Sequence, residues 1–351
     1  MGVRAVSGDP VAAYRGILRR RALLLFVLAA LILAAMLGDF LIGGSSLSAA
    51  TLLNTLLHPD GAAPVDRVIV WTLRLPHAAS AVLVGMALGL AGAEMQTVLN
   101  NPLASPDTLG VSSAAALGAS VAIVFGGWLL PWIAPDWAIA ACAFVFAAAG
   151  ALLLDTVARR GGMRASGVVL FGIAMVFLCN AVVSAIQFVA SAQALQNLVF
   201  WTMGSLGRIG WMQLGVLALA LAAVLPFSLR AAWRLTALRL GAERAASFGV
   251  DVRRLRLGAL ARISLLSGLA VSLAGVIGFI GLVAPHIARR LFGEDHRFYL
   301  AGSALVGAVV LSLASILSKC LVPGLVLPIG IVTALAGLPV FVAVVLRRQL
   351  P

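Results

Sequence analysis

The sequence has few charged residues, and this shortage excludes most classes of soluble protein. Charged residues make up 11% of the 351 positions, whereas 62% are hydrophobic and the mean hydropathy is +1.10. A soluble domain carries about 25% charged residues. The composition therefore predicts an all-α polytopic membrane protein, because helices satisfy their own backbone hydrogen bonds in lipid.

Cysteine, lysine and catalytic motifs are also scarce. The three cysteines, Cys142, Cys179 and Cys320, lie far apart without a CxxC or other ligand spacing, so neither a disulfide framework nor a metal site is expected. The single lysine, Lys319, lies in no GxxxxGK[ST] sequence that could bind phosphates. GxSxG and HExxH patterns are absent. Because Arg289 and Arg290 follow it closely, His286 in "APHIARR" is interpreted as a structural or interfacial residue at the end of a span. We expect no catalytic residue, no enzyme activity and no cofactor bound by this chain.

Apolar runs divide the chain into about ten predicted transmembrane spans. A hydrocarbon core of about 30 Å needs roughly 20 apolar residues, and the eighth run is too short unless it is tilted or buried. We interpret residues 1–351 as one transmembrane domain. The predicted spans are 22–42, 76–99, 111–130, 136–157, 166–190, 211–229, 257–275, 277–291, 298–321 and 327–346.

The basic residues indicate the orientation of these spans. The formal net charge is +13, but the basic side chains lie at span ends, so they indicate a lipid bilayer rather than a nucleic-acid partner. Alternate connections place 21 of the 25 Lys+Arg on one side, which we interpret as the cytoplasm, with both termini there. The inside set includes Arg4, Arg159, Arg160, Arg164, Arg347 and Arg348, and the outside set is Arg67, Arg74, Arg208 and Lys319.

Residues 230–262 form the longest interruption of the apolar pattern and contain eight arginines. Such density predicts a cytoplasmic loop. Within it, "ALRLGAERAASFGVD" predicts a short helix that stops at Gly249, because glycine commonly ends helices. A helix lying on the membrane surface is the alternative interpretation of this segment.

The two halves of the chain contain a weak internal repeat. At an offset of 183 residues, Gly85, Ala87, Leu90, Ala91, Gly92, Pro102 and Gly110 align with Gly268, Ala270, Leu273, Ala274, Gly275, Pro285 and Gly293. The second span runs inward and the seventh outward, so spans 2–5 and 7–10 are predicted to be inverted repeats. Such repeats are typical of transporters.

Several long motifs follow one another along most of the chain: "RLPHAASAVLVGMALGLAGAEMQTVLNNPLASPDTLGVSSAAALGAS", "FWTMGSLG", "LGAERAASFGV", "GVIGFIGLVAPHIARRLFGEDHR" and "LPIGIVTALAGLPVFVAVVLRR". These motifs resemble the permease subunits of the FecCD family, ABC importers of iron-siderophore complexes, haem and vitamin B12. The resemblance implies a homodimer in the bacterial cytoplasmic membrane with two cytoplasmic ATPase subunits and an extracytoplasmic substrate-binding protein. Its cargo is expected to be a ferric siderophore, with haem or cobalamin as alternatives.

The resemblance also implies roles for particular residues. Residues 240–250 correspond to the coupling helix that contacts the ATPase, and ATP is expected on that partner. The coupling residues are Leu240, Gly241, Glu243, Arg244, Ala245 and Gly249. Arg74 and Lys319 correspond to basic residues that meet acidic groups of the binding protein, and His77 stands where the family often has another basic residue. "QNLVFWTMGSLGR" corresponds to a short external helix that gates the outer mouth.

A polar stripe in the fifth span suggests a translocation path. Asn180, Ser184, Gln187 and Ser191 recur at spacings that put them on one helical face, where they would face a partner helix or water. A secondary transporter driven by ions is the alternative class, and it would need paired acidic or histidine residues deep in its spans. Here Glu94 is the main candidate, with Asp39 and Asp155 nearer span ends. The resemblance implies an apolar residue at this position, so it does not explain Glu94. The competing interpretation is a carboxylate that snorkels to the surface or is paired near the cytoplasmic end of the span.

Overall fold

The part of the chain that the structure describes folds into ten main helices joined by short turns and small surface helices. The computed structural model describes residues 10–43, 47–160, 165–322 and 324–347. Predictions for Arg4, Arg164 and Arg348, and for the side chains of Asp155, Arg159, Arg160 and Arg347, lie outside that description. The main helices are α1 Pro10–Leu41, α2 Leu75–Val98, α3 Val111–Leu129, α4 Pro135–Arg160, α5 Ala165–Val189, α6 Trp211–Arg230, α7 Val252–Ala274, α8 Ile280–Phe292, α9 His296–Cys320 and α10 Ile329–Arg347.

Eight of the described helices are long and apolar enough to cross a membrane. The others among the ten are α8, with 13 residues, and α10, whose apolar part is Ile329–Val342. The predicted eighth span began at residue 277, but residues 275–278 are not helical and Phe279 has a φ of 67°. As expected for so short a segment, α8 is buried among its neighbours along most of its length.

Helix α2 is the centre of the fold, and glycines explain how closely it packs. Gly85 and Gly89 lie against the backbone of α9 at Gly307 and Ser303, and Gly92 lies against the backbone of α8 at Gly281. Small residues allow helices to approach until their backbones touch, and the resulting contacts replace hydrophobic driving force in lipid. Nearly all side chains of α2 from Val84 to Val98 are consequently buried.

The contacts between helices confirm the repeat of α2–α5 and α7–α10. Helix α3 contacts α4 and α5, as α8 contacts α9 and α10, and α2 packs on α8 and α9 as α7 packs on α3 and α4. One pair of aligned glycines follows this rule, since Gly85 abuts α9 and Gly268 abuts Phe144 of α4. The sequence register holds for α2 and α7 only. Pro102 lies in the turn after α2, whereas Pro285 lies inside α8, because residues 99–110 and 275–279 are connections of different length.

The loop predicted at residues 230–262 is shorter in the structure than predicted, because α7 begins at Val252. Helix α6 ends at Arg230, the small helices Ala232–Leu238 and Ala242–Ser247 follow, and α7 begins at Val252. Residues 252–262 therefore belong to the seventh helix. Asp251 caps that helix, because its side chain accepts a hydrogen bond from the Arg254 amide at 2.9 Å.

Candidate functional site

The 240–250 segment forms an exposed short helix between α6 and α7. The helix spans Ala242–Ser247, preceded by Gly241 with φ 105° and followed by Gly249 with φ 78°. Both glycines adopt the left-handed region that other residues avoid, so the predicted stop at Gly249 is observed. Ala245 is fully buried and holds the helix against the rest of the chain.

The outer face of this helix combines charges with exposed apolar side chains. Glu243 and Arg244 are both exposed. Leu240 and Phe248, on either side of the helix, are 54% and 61% exposed. Exposed apolar groups rimmed by polar ones are typical of protein interaction sites. This face is therefore suited to contact another protein.

The polar stripe on α5 is exposed, but it is shorter than predicted. Asn180 and Ser184 are exposed and Gln187 is half-buried. The Ser184 hydroxyl donates to the carbonyl of Asn180 at 2.9 Å. Ser191 lies beyond the end of α5 and instead caps the outer helix Ala192–Thr202, accepting from the Ala194 amide at 3.2 Å. The stripe on the helix thus consists of three residues, with Ser191 at the turn that follows.

The outer helix is fastened to the ends of two other helices by backbone hydrogen bonds. The amide of Ser205 donates to the carbonyl of Ala274 at 2.7 Å, at the end of α7. The amide of Gly330 donates to the carbonyl of Met203 at 3.0 Å, at the start of α10. A displacement of this helix would therefore act directly on α7 and α10.

Lys319 is buried and paired within the chain. Its ammonium lies 2.9 Å from Asp39 Oδ1, and the two side chains are 7% and 0% exposed. Ser315 donates to the same Asp39 oxygen at 2.7 Å and lies 3.1 Å from the His77 ring. The structure thus brings His77 and Lys319 together around Asp39 and Ser315.

Arg74 is also buried, and it completes the end of α1. Its Nη1 donates at 2.9 Å to the carbonyls of Phe40 and Leu41, which the helix leaves without partners. Arg74 closes a turn of π-helix, Ile69–Arg74, that leads into α2. Arg74 and Lys319, the two residues predicted to meet acidic groups of a binding protein, are thus both held in contacts within this chain.

A cavity of about 790 Å³ lies beside these residues. Arg74, His77 and Lys319 line it together with apolar residues of the outer helix region and the start of α10, including Phe200 and Ile329. Arg208 borders both this cavity and a neighbouring one of about 630 Å³. Burial lowers the pKa of Arg208. The fourth predicted outside charge, Arg67, is 57% exposed and lies 3.7 Å from Asp60.

Glu94, a carboxylate that the family resemblance does not explain, forms a salt bridge with Arg262. Arg262 of α7 donates a hydrogen bond to each oxygen of the Glu94 carboxylate, from Nε to Oε1 at 3.0 Å and from Nη2 to Oε2 at 2.8 Å. The Glu94 side chain is 1% exposed and that of Arg262 is 15% exposed. Such two-point contacts between arginine and carboxylate are strong. Glu94 and Asp39 thus each pair with a basic side chain rather than with another acid.

Sequence reasoning missed a polar cluster beside the short helix Ala242–Ser247. Arg239 contacts Glu294 and Asn100, and His296 lies between Thr97 and Thr236. The available signal was "GEDHR", a group of charges between two apolar runs. The sequence alone could not connect it with Arg239, which is 55 positions away.

Comparison with known proteins gives consistent matches over most of the chain. A model of the FecCD transport family matches residues 24–347. The hemin transport system permease protein HmuU of Yersinia pestis is 38% identical over 336 residues, covering 95% of this chain and 98% of HmuU. The vitamin B12 import system permease protein BtuC of Escherichia coli is 38% identical over 292 residues, covering 83% of this chain and 88% of BtuC. An inward-facing structure described as a metal-chelate type ABC transporter matches with a TM-score of 0.80 and 29% identity, covering 92% of this chain and 99% of that one.

Proposed function

This chain belongs to the FecCD transport family and is a multi-pass permease of the ABC transporter type, and we propose that it carries a ferric-siderophore complex inward across the bacterial cytoplasmic membrane. ATP binding and hydrolysis take place on two separate cytoplasmic subunits in this proposal. Haem and cobalamin are the alternative cargoes, because the matched relatives include permeases named for hemin and vitamin B12.

The observation that carries the proposal is the exposed helix Ala242–Ser247. Its face offers Glu243 and Arg244 beside the exposed apolar side chains of Leu240 and Phe248. A partner that supplies mechanical energy needs such a contact surface, and the chain has no phosphate-binding loop of its own. We propose that Leu240, Gly241 and Gly249 shape this surface, that Ala245 anchors it, and that Glu243 and Arg244 make its charged contacts.

The exposed stripe on α5 supports a homodimer around a central path. Exposed polar residues in a spanning helix are costly when they face lipid, so a second copy and a water-filled path are the favoured surroundings. In this arrangement Asn180, Ser184, Gln187 and Ser191 line the path, and both termini lie in the cytoplasm. The binding protein docks over the outer cavity, where Arg74, His77 and Lys319 hold the mouth in shape rather than act as free charges.

Uptake by reconstituted transporter tests the function and the coupling surface together. Proteoliposomes containing the chain and its co-purified ATPase should accumulate a radioactive ferric siderophore only when ATP and the binding protein are supplied. Glu243→Arg and Arg244→Glu should each reduce that uptake at least about tenfold, because charge reversal at an interface costs several kcal/mol. Co-purification of the ATPase should fall in parallel, while the permease stays folded.

The control is Arg67→Glu, an exposed charge on the opposite side of the predicted membrane, which should leave uptake unchanged. Accumulation driven by a proton or sodium gradient without ATP would contradict the ABC assignment. ATP-dependent uptake of haem or cobalamin, without uptake of the siderophore, would change only the proposed cargo and leave the ABC assignment in place.

Single cysteines test the path. In a background lacking Cys142, Cys179 and Cys320, cysteine at Asn180, Ser184 or Gln187 should react with a membrane-impermeant thiol reagent, and the rate should change when nucleotide binds. Cysteine at Val183 or Ile186 is the matched control, because these side chains on the same helix are buried, at 8% and 9% exposure. Faster labelling of the two control positions than of the stripe would contradict the assignment of the stripe to the path.

A further inference from the structure

The connection between the helix Ala242–Ser247 and the spanning helices contains two polar residues to which the proposed function gives no role. Thr236 lies in the helix Ala232–Leu238, and Arg239 follows immediately, three residues before Ala242. Any movement of the exposed helix must pass through this short stretch or through the start of α7.

Arg239 joins this stretch to two different turns. Its Nε and Nη2 donate to Glu294 Oε2 and Oε1 at 3.2 and 3.1 Å, in the turn between α8 and α9. Its Nη1 donates to Asn100 Oδ1 at 2.9 Å, in the turn after α2. A guanidinium holds several acceptors in a fixed plane, which an ammonium cannot do. One side chain thus fixes the position of the connection relative to both turns.

Thr236 makes a second attachment, through His296, to α2 and α9, the helices next to those two turns. The buried His296 ring, at the start of α9, places Nδ1 3.1 Å from the Thr236 hydroxyl and Nε2 2.8 Å from the Thr97 hydroxyl of α2. The backbone amide of His296 also donates to the Thr236 hydroxyl at 3.2 Å. The two attachments lie on consecutive parts of the connection and converge on α2 and α9.

We propose that the Arg239–Glu294 pair is a positioning link that transmits movement of the helix Ala242–Ser247 to α2 and α9. The inference rests on the proposed function, since it assumes that a separate ATPase moves that helix. Helices α2 and α9 are in backbone contact through Gly85 and Gly307, so a force applied at their ends would move them as a pair. Without the link, the exposed helix can follow the ATPase while the spanning helices lag behind.

The test measures ATP hydrolysis and uptake in the same proteoliposomes, made from the complete transporter with its ATPase and binding protein. Arg239→Gln and Glu294→Gln should each lower uptake per ATP hydrolysed by roughly tenfold, a typical size for coupling between sites. Hydrolysis and the amount of bound ATPase should stay at the wild-type level. The effect of the double variant should fall well short of the sum of the two single effects, because both single variants lose the Arg239–Glu294 contact. Each also loses a contact of its own, Arg239 with Asn100 and Glu294 with Arg289.

Two further variants make the result specific. Arg239→Lys keeps the positive charge but loses the planar guanidinium. Its uptake per ATP hydrolysed should therefore lie between those of the wild type and of Arg239→Gln. Arg254→Gln removes an arginine at the start of α7 whose side chain is 89% exposed, and its ratio should be unchanged.

The inference is overturned if the variants lose uptake and hydrolysis in proportion, or if the effects of the two single variants add. Wild-type uptake that does not need ATP would instead overturn the proposed function, and the link with it. If wild-type uptake needs ATP but the variants keep the wild-type uptake per ATP hydrolysed, the link alone is overturned.

Discussion

Removing Arg262 should destabilise the protein by about 3–5 kcal/mol, because the buried Glu94 carboxylate would lose its partner. The bidentate contact joins α2 to α7, the pair of equivalent helices in the two repeats, and Glu94 is 1% exposed. Since proteins are commonly stable by only about 5–15 kcal/mol, Arg262→Ala should give a large loss of folded material in detergent. The midpoint of thermal unfolding measures the effect.

Two variants separate the pair from a general effect of mutation. Glu94→Leu combined with Arg262→Met should recover most of the stability, because apolar replacement of a buried ion pair is often neutral or favourable. Arg254→Ala, whose side chain is 89% exposed, should change stability by no more than about 0.5 kcal/mol. An Arg262→Ala protein as stable as the Arg254→Ala protein would show that the pair contributes little.

Adding one methyl group at Gly92 should disrupt the packing of α2 on α8. A Cβ at this position would overlap the carbonyl of Gly281, and backbone cannot rotate away as a side chain does. Overpacking usually costs about 1–3 kcal/mol and more when the neighbours cannot move. Gly92→Ala should therefore lower both the yield of monodisperse protein and its unfolding temperature.

The matched control is Gly215→Ala in α6, where a Cβ would meet nothing within 4 Å. Alanine is favoured over glycine within helices by up to about 1 kcal/mol, so this variant should be neutral or slightly more stable. The same substitution thus has opposite expected signs at two positions. Equal stability of the two variants would contradict the close contact between α2 and α8.

Hydropathy and charge predicted the helices well because both act locally along the chain. The ninth helix, for example, was predicted at 298–321 and is His296–Cys320. The error at α8 arose because residues 275–278 are apolar but form an irregular connection, where Gly275 has a φ of 77°. Hydropathy records the burial of such a segment and not its conformation.

Pairings between distant residues could not be predicted in the same way. Arg262 was counted among the basic residues of a loop, and its partner Glu94 is 168 positions away. Arg74 and Lys319 are predicted to meet acidic groups of a binding protein. Within this chain their partners are the carbonyls at the end of α1 and the Asp39 carboxylate, which only the packing of α1 on α2 and α9 brings close. The sequence offered one hint of the Glu94–Arg262 pair. Glu94 lies in the second predicted span and Arg262 in the seventh, and the internal repeat relates those two spans.

The burial of Lys319 gives the protein an unusual reactivity toward amine reagents. Lys319 is the single lysine of the chain, so reagents that acylate amines find one ε-amino group, and its side chain is 7% exposed. That amine can react only when it separates from Asp39, on the wall of the outer cavity. The rate of acylation at Lys319 is therefore a measure of how often the Lys319–Asp39 pair separates, without any engineered label.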